Sequence, residues 1–461
     1  MLKVFFLLME QDMKKDLTTG NIRGTLLAFA APMILGNLLQ IFYNVADSIV
    51  VGQFIGPNAL AAVGSAFTLM TFITSILIGL CMGSGAVFSF YYGQKDKRSM
   101  KGSIQISFLF IGIISLIVTG ISIYFTDEIL QLLQIPPEVM EGIREYISII
   151  FYGIFFVFLY NYYAYLLRAV GNSVVPLSFL AAAAVLNIIL DILFIVIFRW
   201  GVGGAAIATV AAQVVSGIGI MIYTFIWEPE LRIPIKSYFD LGAGKKILYF
   251  SLAASFQQSV MNFGILLVQG LVNSFGPLVM TAFAAGVKID AFAYMPVQEF
   301  GNAYSLFVSQ NYGAGKKERI EKGTLISVKM VLLYCGIASF VIFLFAKYLM
   351  MIFIGQEFKE IIDIGVLYLR IEGVFYIGIG LLFLFYGYFR GIQRPEISLL
   401  LTIISLGTRV LLAFILSGIS VIGVWGIWIA IPIGWILADT VGLIKMNKID
   451  KELEKREKYV D

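Results

Sequence analysis

Two aspartates sit where a carboxylate is expensive. Asp47 closes the stretch "NLLQIFYNVAD" inside one long apolar run, and Asp191 lies in the middle of another, "VLNIILDILFI". Asn37, Gln40, Asn44 and Asp47 fall at i, i+3, i+7 and i+10, which puts all four on one face of a helix. Asn187 stands one turn before Asp191, and Thr209 one turn before Gln213 in "AAIATVAAQ". An ionisable group inside an apolar span costs about 2.5 kcal/mol or more, so it is a functional candidate by default. No Lys or Arg lies on the same three runs to pair with these acids. Two carboxylates, amide oxygens and a hydroxyl suit a hard cation such as Na⁺. With no metal ion bound, two neighbouring carboxylates would share a proton and titrate as a pair. The chain has no His, the usual near-neutral proton switch, so proton coupling would fall to these acids. For Asn37 or Gln213 alone, hydrogen bonding between helices is the plainer role.

The elements that must hold these residues follow from composition. Of 461 residues, 59% are hydrophobic and 13% charged, against roughly 25% charged in soluble domains. The apolar runs are long and unbroken, which means spanning helices rather than the short alternating segments of a barrel. The expected fold is therefore an all-α integral membrane protein. Twelve spans are expected, near 25–53, 59–92, 101–125, 139–168, 174–198 and 203–227, then 247–275, 278–311, 323–354, 361–389, 397–417 and 423–444. They are flanked by an N-terminal segment (1–24), a connector (228–246) and a charged tail (445–461). The opening "MLKVFFLLMEQD" has too short an apolar core for a signal peptide, and Met13 is the plainer start. Cys81 and Cys335 lie deep in apolar runs and are expected to pack rather than to pair. Basic residues concentrate on one side: the N-terminus, "KDKR" (95–98), Arg168, the connector, "KKERIEK" (316–322), Arg390, Arg394 and the tail. The other side has only Arg144, Arg199, Lys347, Lys359 and Arg370, so both termini are expected in the cytoplasm of a plasma-membrane protein.

The halves repeat. "FIGP" (54–57) stands 220 residues before "SFGP" (274–277), and "SFYYGQKDKR" (89–98) matches "SQNYGAGKKE" (309–318) at the same offset. "GVGGAAIA" (201–208) matches "GVWGIWIA" (423–430), and Arg168 matches Arg390, at an offset of 222. Six spans per half keep both halves in one orientation. Parallel repeats of this kind are typical of alternating-access transporters with a central cleft. Neither "GAGKK" (242–246, 313–317) has the upstream Gly or the Ser/Thr of a phosphate-binding loop, so an ion gradient must drive any pumping. The acids were not duplicated. Asp47 pairs with Leu267, while Asn187, Asp191 and Thr209 pair with Arg409, Ala413 and Ile431. The coupling site is accordingly expected in the N-lobe (25–227) and not in the C-lobe (247–444). The second half has its own charges in the membrane: Lys288, Asp290 and Glu299 on span 8, Glu372 near the start of span 10, and Arg409 on span 11. Asp290 is expected either to pair with Arg409 or Lys288, or to line the cleft. Asp439 is expected at the interface, near the end of span 12. Aromatics such as "YNYYAY" (160–165), Tyr43, Phe292 and Tyr294, set beside acids, would suit lipophilic cations. The expected lining of a substrate cavity is Gln40, Tyr43, Asn44, Asn161, Gln213, Asp290 and Glu299.

The order and doubled spacing of several stretches carry a resemblance. These are Pro32, Asn37, Gln40 and Asp47 on span 1, "YYGQKDK" after span 2, "LRAVGNS" with Pro176 before "NIILDILFI", and "SQNYGAGK" after span 8. From about Thr18 to Lys445 the chain resembles the multidrug and toxic compound extrusion (MATE) transporters, bacterial type. The resemblance implies a V-shaped pair of six-helix lobes that exchange organic, often cationic, compounds for Na⁺ or H⁺. It also implies an N-lobe cation site at Asp47, Asn187, Asp191 and Thr209. Another branch of the family uses carboxylates on spans 7 and 10. Here span 7 offers Gln257 and Gln258 but no acid, which argues against that arrangement.

The expected function is a secondary antiporter exporting drug-like or metabolite compounds, not an enzyme. Its partners would be a small organic substrate, the coupling cation and the bilayer. No cofactor beyond Na⁺ or H⁺, no nucleic acid and a monomeric state are expected. A flippase for a lipid-linked amphiphile is the alternative, but it calls for a basic cleft and the charges within the spans are mostly acidic. A channel would call for a ring of repeated charges, which the unequal halves do not supply.

Overall fold

The computed structural model describes residues 14–132, 137–233 and 241–457. The first twelve residues and part of the connector lie outside them. Among the described residues there are no strands, and the only β feature is an isolated bridge between Lys14 and Asn172. The helices in the first half are α1 (Ile22–Phe54), α2 (Pro57–Gln94), α3 (Lys97–Tyr124), α4 (Thr126–Leu132), α5 (Pro137–Ile150), α6 (Ile154–Ala169), α7 (Val174–Asp191) and α8 (Gly201–Trp227). The second half has α9 (Leu241–Asn273), α10 (Pro277–Gly313), α11 (Lys317–Phe353), α12 (Lys359–Val374), α13 (Tyr376–Gly391), α14 (Pro395–Ser417) and α15 (Trp425–Glu457). Local chemistry sets the starts. Asn21 accepts bonds from the Arg23 and Gly24 amides ahead of α1, Asp96 accepts from Arg98 and Ser99 ahead of α3, and Pro57 opens α2.

Among the described residues eleven helices are long and apolar enough to cross a membrane, and α12 with α13 makes a twelfth bent by 51°. Their outer faces bear this out. Leu109, Ile113, Leu116 and Ile117 on α3 are each more than half exposed on one stripe, as lipid contact requires. Three spans are interrupted in ways the apolar pattern did not show. Span 4 is α5 and α6 joined by a 3₁₀ turn at Phe151–Gly153, and span 5 leaves α7 through a π-helical segment, Ile192–Ile197. Span 10 breaks at Phe375, whose amide bonds the Glu372 carbonyl at 2.9 Å in a tightened turn. Glu372 therefore ends α12, beside the break, rather than lying near the start of the span. At the far end α15 runs unbroken to Glu457, so much of the charged tail is helix. Asp439 is consequently buried within that helix, against Gly378 and Trp435, and not at its interfacial end.

The chain forms two compact units. Unit 1 comprises Met1–Gln258 with Ser309–Lys317, and unit 2 comprises Ser259–Val308 with Glu318–Asp461. The boundary between these units falls within α9, at Gln258. In unit 1, α1 packs on α7, α7 on α8, and α2 against α5 and α6. Phe88, Phe158 and Tyr162 anchor its core, with Phe88 and Tyr162 edge to face at 6.0 Å. In unit 2, α15 packs against α12, α13 and α14. Both cysteines are free and buried.

Candidate ion-binding site

The packing of α1, α7 and α8 brings together four residues that are far apart in sequence. Asp47 is 8% exposed, Asn187 2% and Asp191 0%. Asn187 Nδ2 donates to Thr209 Oγ1 at 3.4 Å, and its amide oxygen is buried without a hydrogen-bond partner. The Asp47 and Asp191 carboxyls face one another at a range where a shared proton would bridge them. Asp47 Oδ1, both oxygens of Asp191 and Oδ1 of Asn187 are buried without a hydrogen-bond donor. Buried acceptors are normally satisfied, and a buried charge is normally paired. A cation or a proton is what this set of oxygens lacks, and carboxylates with an amide oxygen and a hydroxyl fit a hard ion. Among the described residues no three of His, Cys, Asp and Glu gather as a metal centre would.

The backbone contributes as well. Asp191 is the last residue of α7, where the helix passes into its π-helical segment. A π turn inserts an extra residue per turn and re-aims side chains, a device frequent at functional sites. Two tyrosines close the site. Tyr146 on α5 is buried, shares a hydrogen bond with Thr209, and lies in the field of both aspartates. Tyr43, one turn before Asp47, interacts with Gln40 and also lies beside Asp47, Asp191 and Tyr160. Tyr146 was not among the residues picked from the sequence. The available signal was its position four helical turns before Tyr160 on the same span.

The other expected lining residues are spread more widely. Gln40 is exposed and Asn44 half-buried, its carbonyl accepting from Ser48 at 2.8 Å. Asn161 spends its amide on its own helix, donating to the Val157 carbonyl at 2.8 Å. Gln213 packs onto the 3₁₀ turn of span 4, so closely that a Cβ on Gly153 would meet its Oε1 at 2.0 Å. Asp290 and Glu299 belong to unit 2, in two separate clusters. Asp290, 3% exposed, accepts hydrogen bonds from the Tyr368 and Tyr376 hydroxyls, one from each side of the break at Phe375. It also touches Glu372, 5% exposed, and both acids feel the Arg409 guanidinium. Arg409, not the exposed Lys288, is therefore its basic neighbour. Glu299 accepts from Asn302 at 3.3 Å, and Asn302 in turn accepts from the buried Arg390 at 2.9 Å.

Similarity to known proteins agrees with this architecture. The MatE family model matches residues 32–193 and again 253–415, once in each half. The chain is 31% identical over 398 residues to the probable multidrug resistance protein YpnP of Bacillus subtilis, covering 85% of this chain and 87% of that protein. It is 23% identical to an FAD transporter of Shewanella oneidensis, covering 91% and 93%. Among solved structures it superposes on a MOP superfamily transporter from Pyrococcus furiosus, described as having a binding pocket of reversed polarity that suggests a different function. That match has a TM-score of 0.89 at 25% identity, over 95% of this chain and 98% of the other. With both of its halves matched and a relative this similar over most of its length, the chain belongs to the MATE family of membrane transporters.

Proposed function

We propose that the chain is a secondary antiporter that exports organic, cationic or drug-like compounds in exchange for Na⁺ or H⁺. The observation that carries the reading is the Asp47–Asp191 pair, buried with unfilled acceptor oxygens; α7 and α8 carry no basic residue, and the only one on α1 is Arg23, at its start, 24 residues before Asp47. An ion arriving from outside binds Asp47, Asn187, Asp191 and Thr209, and Tyr146 holds Thr209 in place. Tyr43 and Gln40, one and two turns away on α1, link that site to a substrate surface that includes Asn44, Asn161 and Gln213. Substrate and ion then compete through the same helix. Ion binding drives alternating access only by its difference in affinity between inward- and outward-open states. The excess of acids in the spans favours cationic cargo. The name of the Bacillus subtilis relative points to drug-like compounds, and that of the Shewanella oneidensis protein to a larger metabolite.

Orientation is part of the reading. Residues expected on the cytoplasmic side converge on one end: Lys14 pairs with Glu228 at 2.6 Å, Lys97 with Glu230 at 2.7 Å, and Lys316 bonds Thr18 at 2.7 Å. On this reading, which the charge bias of the sequence supports, both termini are cytoplasmic and the protein sits in the plasma membrane as a monomer. The test is efflux of ethidium from proteoliposomes with Na⁺ and pH gradients imposed separately. One gradient is expected to drive efflux and the other not. Efflux indifferent to both gradients would refute the antiport reading.

A further inference from the structure

Three stretches that the ion site leaves unused, "YYGQKDK" (91–97), "LRAVGNS" (167–173) and "SQNYGAGK" (309–316), meet within unit 1. A strap ahead of α1, Lys14 to Asn21, ties them together. On one side the Lys15 amide bonds the Gly171 carbonyl at 3.1 Å, and Lys14 pairs with the buried Glu228 at 2.6 Å. Gly171 has φ +88°, and a Cβ there would meet the Lys15 carbonyl at 1.9 Å, so only glycine admits the strap. On the other side Asn311 Nδ2 donates to the Leu17 carbonyl at 3.0 Å, and Lys316 Nζ donates to the Thr18 carbonyl at 2.7 Å. Asp16 shapes the strap by accepting from the Thr18 amide and hydroxyl, both at 2.8 Å. Partial burial pushes the Asp16 carboxyl up, but the bonds from Thr18 and Thr19 and the Lys316 charge hold it below the ordinary carboxylate value.

The segment Ser309–Lys317 is the unusual member. The residues before and after it, Ser259–Val308 and Glu318–Asp461, belong to unit 2, yet it is packed into unit 1. Ser309 Oγ donates to the Ala86 carbonyl and Gln310 Nε2 to the Ala169 carbonyl, each at 2.6 Å. Gly93 approaches so closely that a Cβ would meet the Gln310 carbonyl at 2.0 Å. The segment is continuous in sequence with unit 2 at both ends, at Val308 and at Glu318. The strap suits reversible release. Its bonds are polar and can be exchanged for water at small net cost. Lys15, Asp16, Thr19 and Gly20 are already exposed, and Leu17 is the buried apolar side chain that must be given up.

We propose that the strap Lys14–Asn21 is a latch over the 309–316 segment, and that transport requires this latch to release in every cycle. The proposal rests on the alternating-access reading above. It is tested with Thr18→Cys and Lys316→Cys together, both positions being partly exposed while native Cys81 and Cys335 are buried. A short homobifunctional methanethiosulfonate reagent bridges the two thiols. Ion-driven ethidium efflux is expected to fall at least tenfold on bridging and to return on reduction, with single-cysteine variants unaffected. An undiminished rate in the bridged protein overturns the latch. A second readout does not depend on cross-linking or on efflux. The labelling rate of Ser309→Cys by a water-soluble thiol reagent is expected to rise several-fold when ethidium is added and again when Lys316→Met weakens the strap. A rate unmoved by both overturns the latch, whereas loss of ion-driven efflux in the unmodified chain would overturn the antiport reading alone.

Discussion

Units 1 and 2 each bury a pair of acids, and they surround them differently, although Glu372 Oε1 and Arg409 Nε in unit 2 also lack a hydrogen-bond partner. Asp290 and Glu372 in unit 2 have two tyrosine hydroxyls and the Arg409 guanidinium for company. Asp47 and Asp191 in unit 1 have each other, and four buried oxygens around them take no donor. A cluster in which Asp290 has two donors and a guanidinium nearby is suited to holding structure, here across the break at Phe375. A cluster that lacks them is suited to taking up something from solution. The same residue types thus meet different surroundings in two halves that the repeat pattern makes relatives.

The comparison can be broken most directly in unit 1. Asp191→Asn or Asp47→Asn should reduce ion-driven efflux by the 5–150-fold that a coupling of about 1–3 kcal/mol represents, at equal membrane insertion. Efflux rates in proteoliposomes read this. In unit 2 the expected loss is of stability. Tyr376→Phe removes a donor to Asp290 and should cost about 1–3 kcal/mol, seen as a lower melting temperature of the purified protein with ion coupling kept. Gly153→Ala sharpens the unit 1 account from a distance. The new Cβ must displace Gln213, with an overpacking cost of about 1–3 kcal/mol and a smaller effect on apparent ion affinity. The mildest change is Tyr146→Phe, which takes the hydroxyl from Thr209. A neutral hydrogen bond is worth about 0.5–1.5 kcal/mol, so ion affinity measured from the concentration dependence of efflux should weaken by roughly two- to tenfold.

Much of unit 1's site was legible because ionisable residues stand out against apolar sequence. Asp47 and Asp191 had no local partner, and i, i+4 spacing tied Asn187 to Asp191. Thr209 entered through its i, i+4 spacing to Gln213 and its hydroxyl oxygen, and the family resemblance added its place beside the acids. Tyr146 was easily passed over, because a tyrosine in the first turns of a span reads as an interfacial anchor and its spacing to Tyr160 is a weak signal. The π segment "ILFIVI" and the break at "GVFYIG" carry no proline, and their apolar pattern continues smoothly across the irregularity. Asp439 was misplaced because the charged stretch after it suggested a helix end, whereas α15 continues through that stretch. The strap was hidden for a different reason: "KKDLTTGN" reads as a polar tail, and its partners Gly171, Glu228, Asn311 and Lys316 lie far along the chain.

The central claim is that ion coupling resides in unit 1 alone. Asp191→Asn and Asp290→Asn, reconstituted side by side at equal density and driven by whichever gradient powers the unmodified protein, test it most directly. The account predicts that Asp191→Asn loses gradient-driven ethidium efflux while Asp290→Asn keeps most of it. Efflux retained by Asp191→Asn and lost by Asp290→Asn would contradict it.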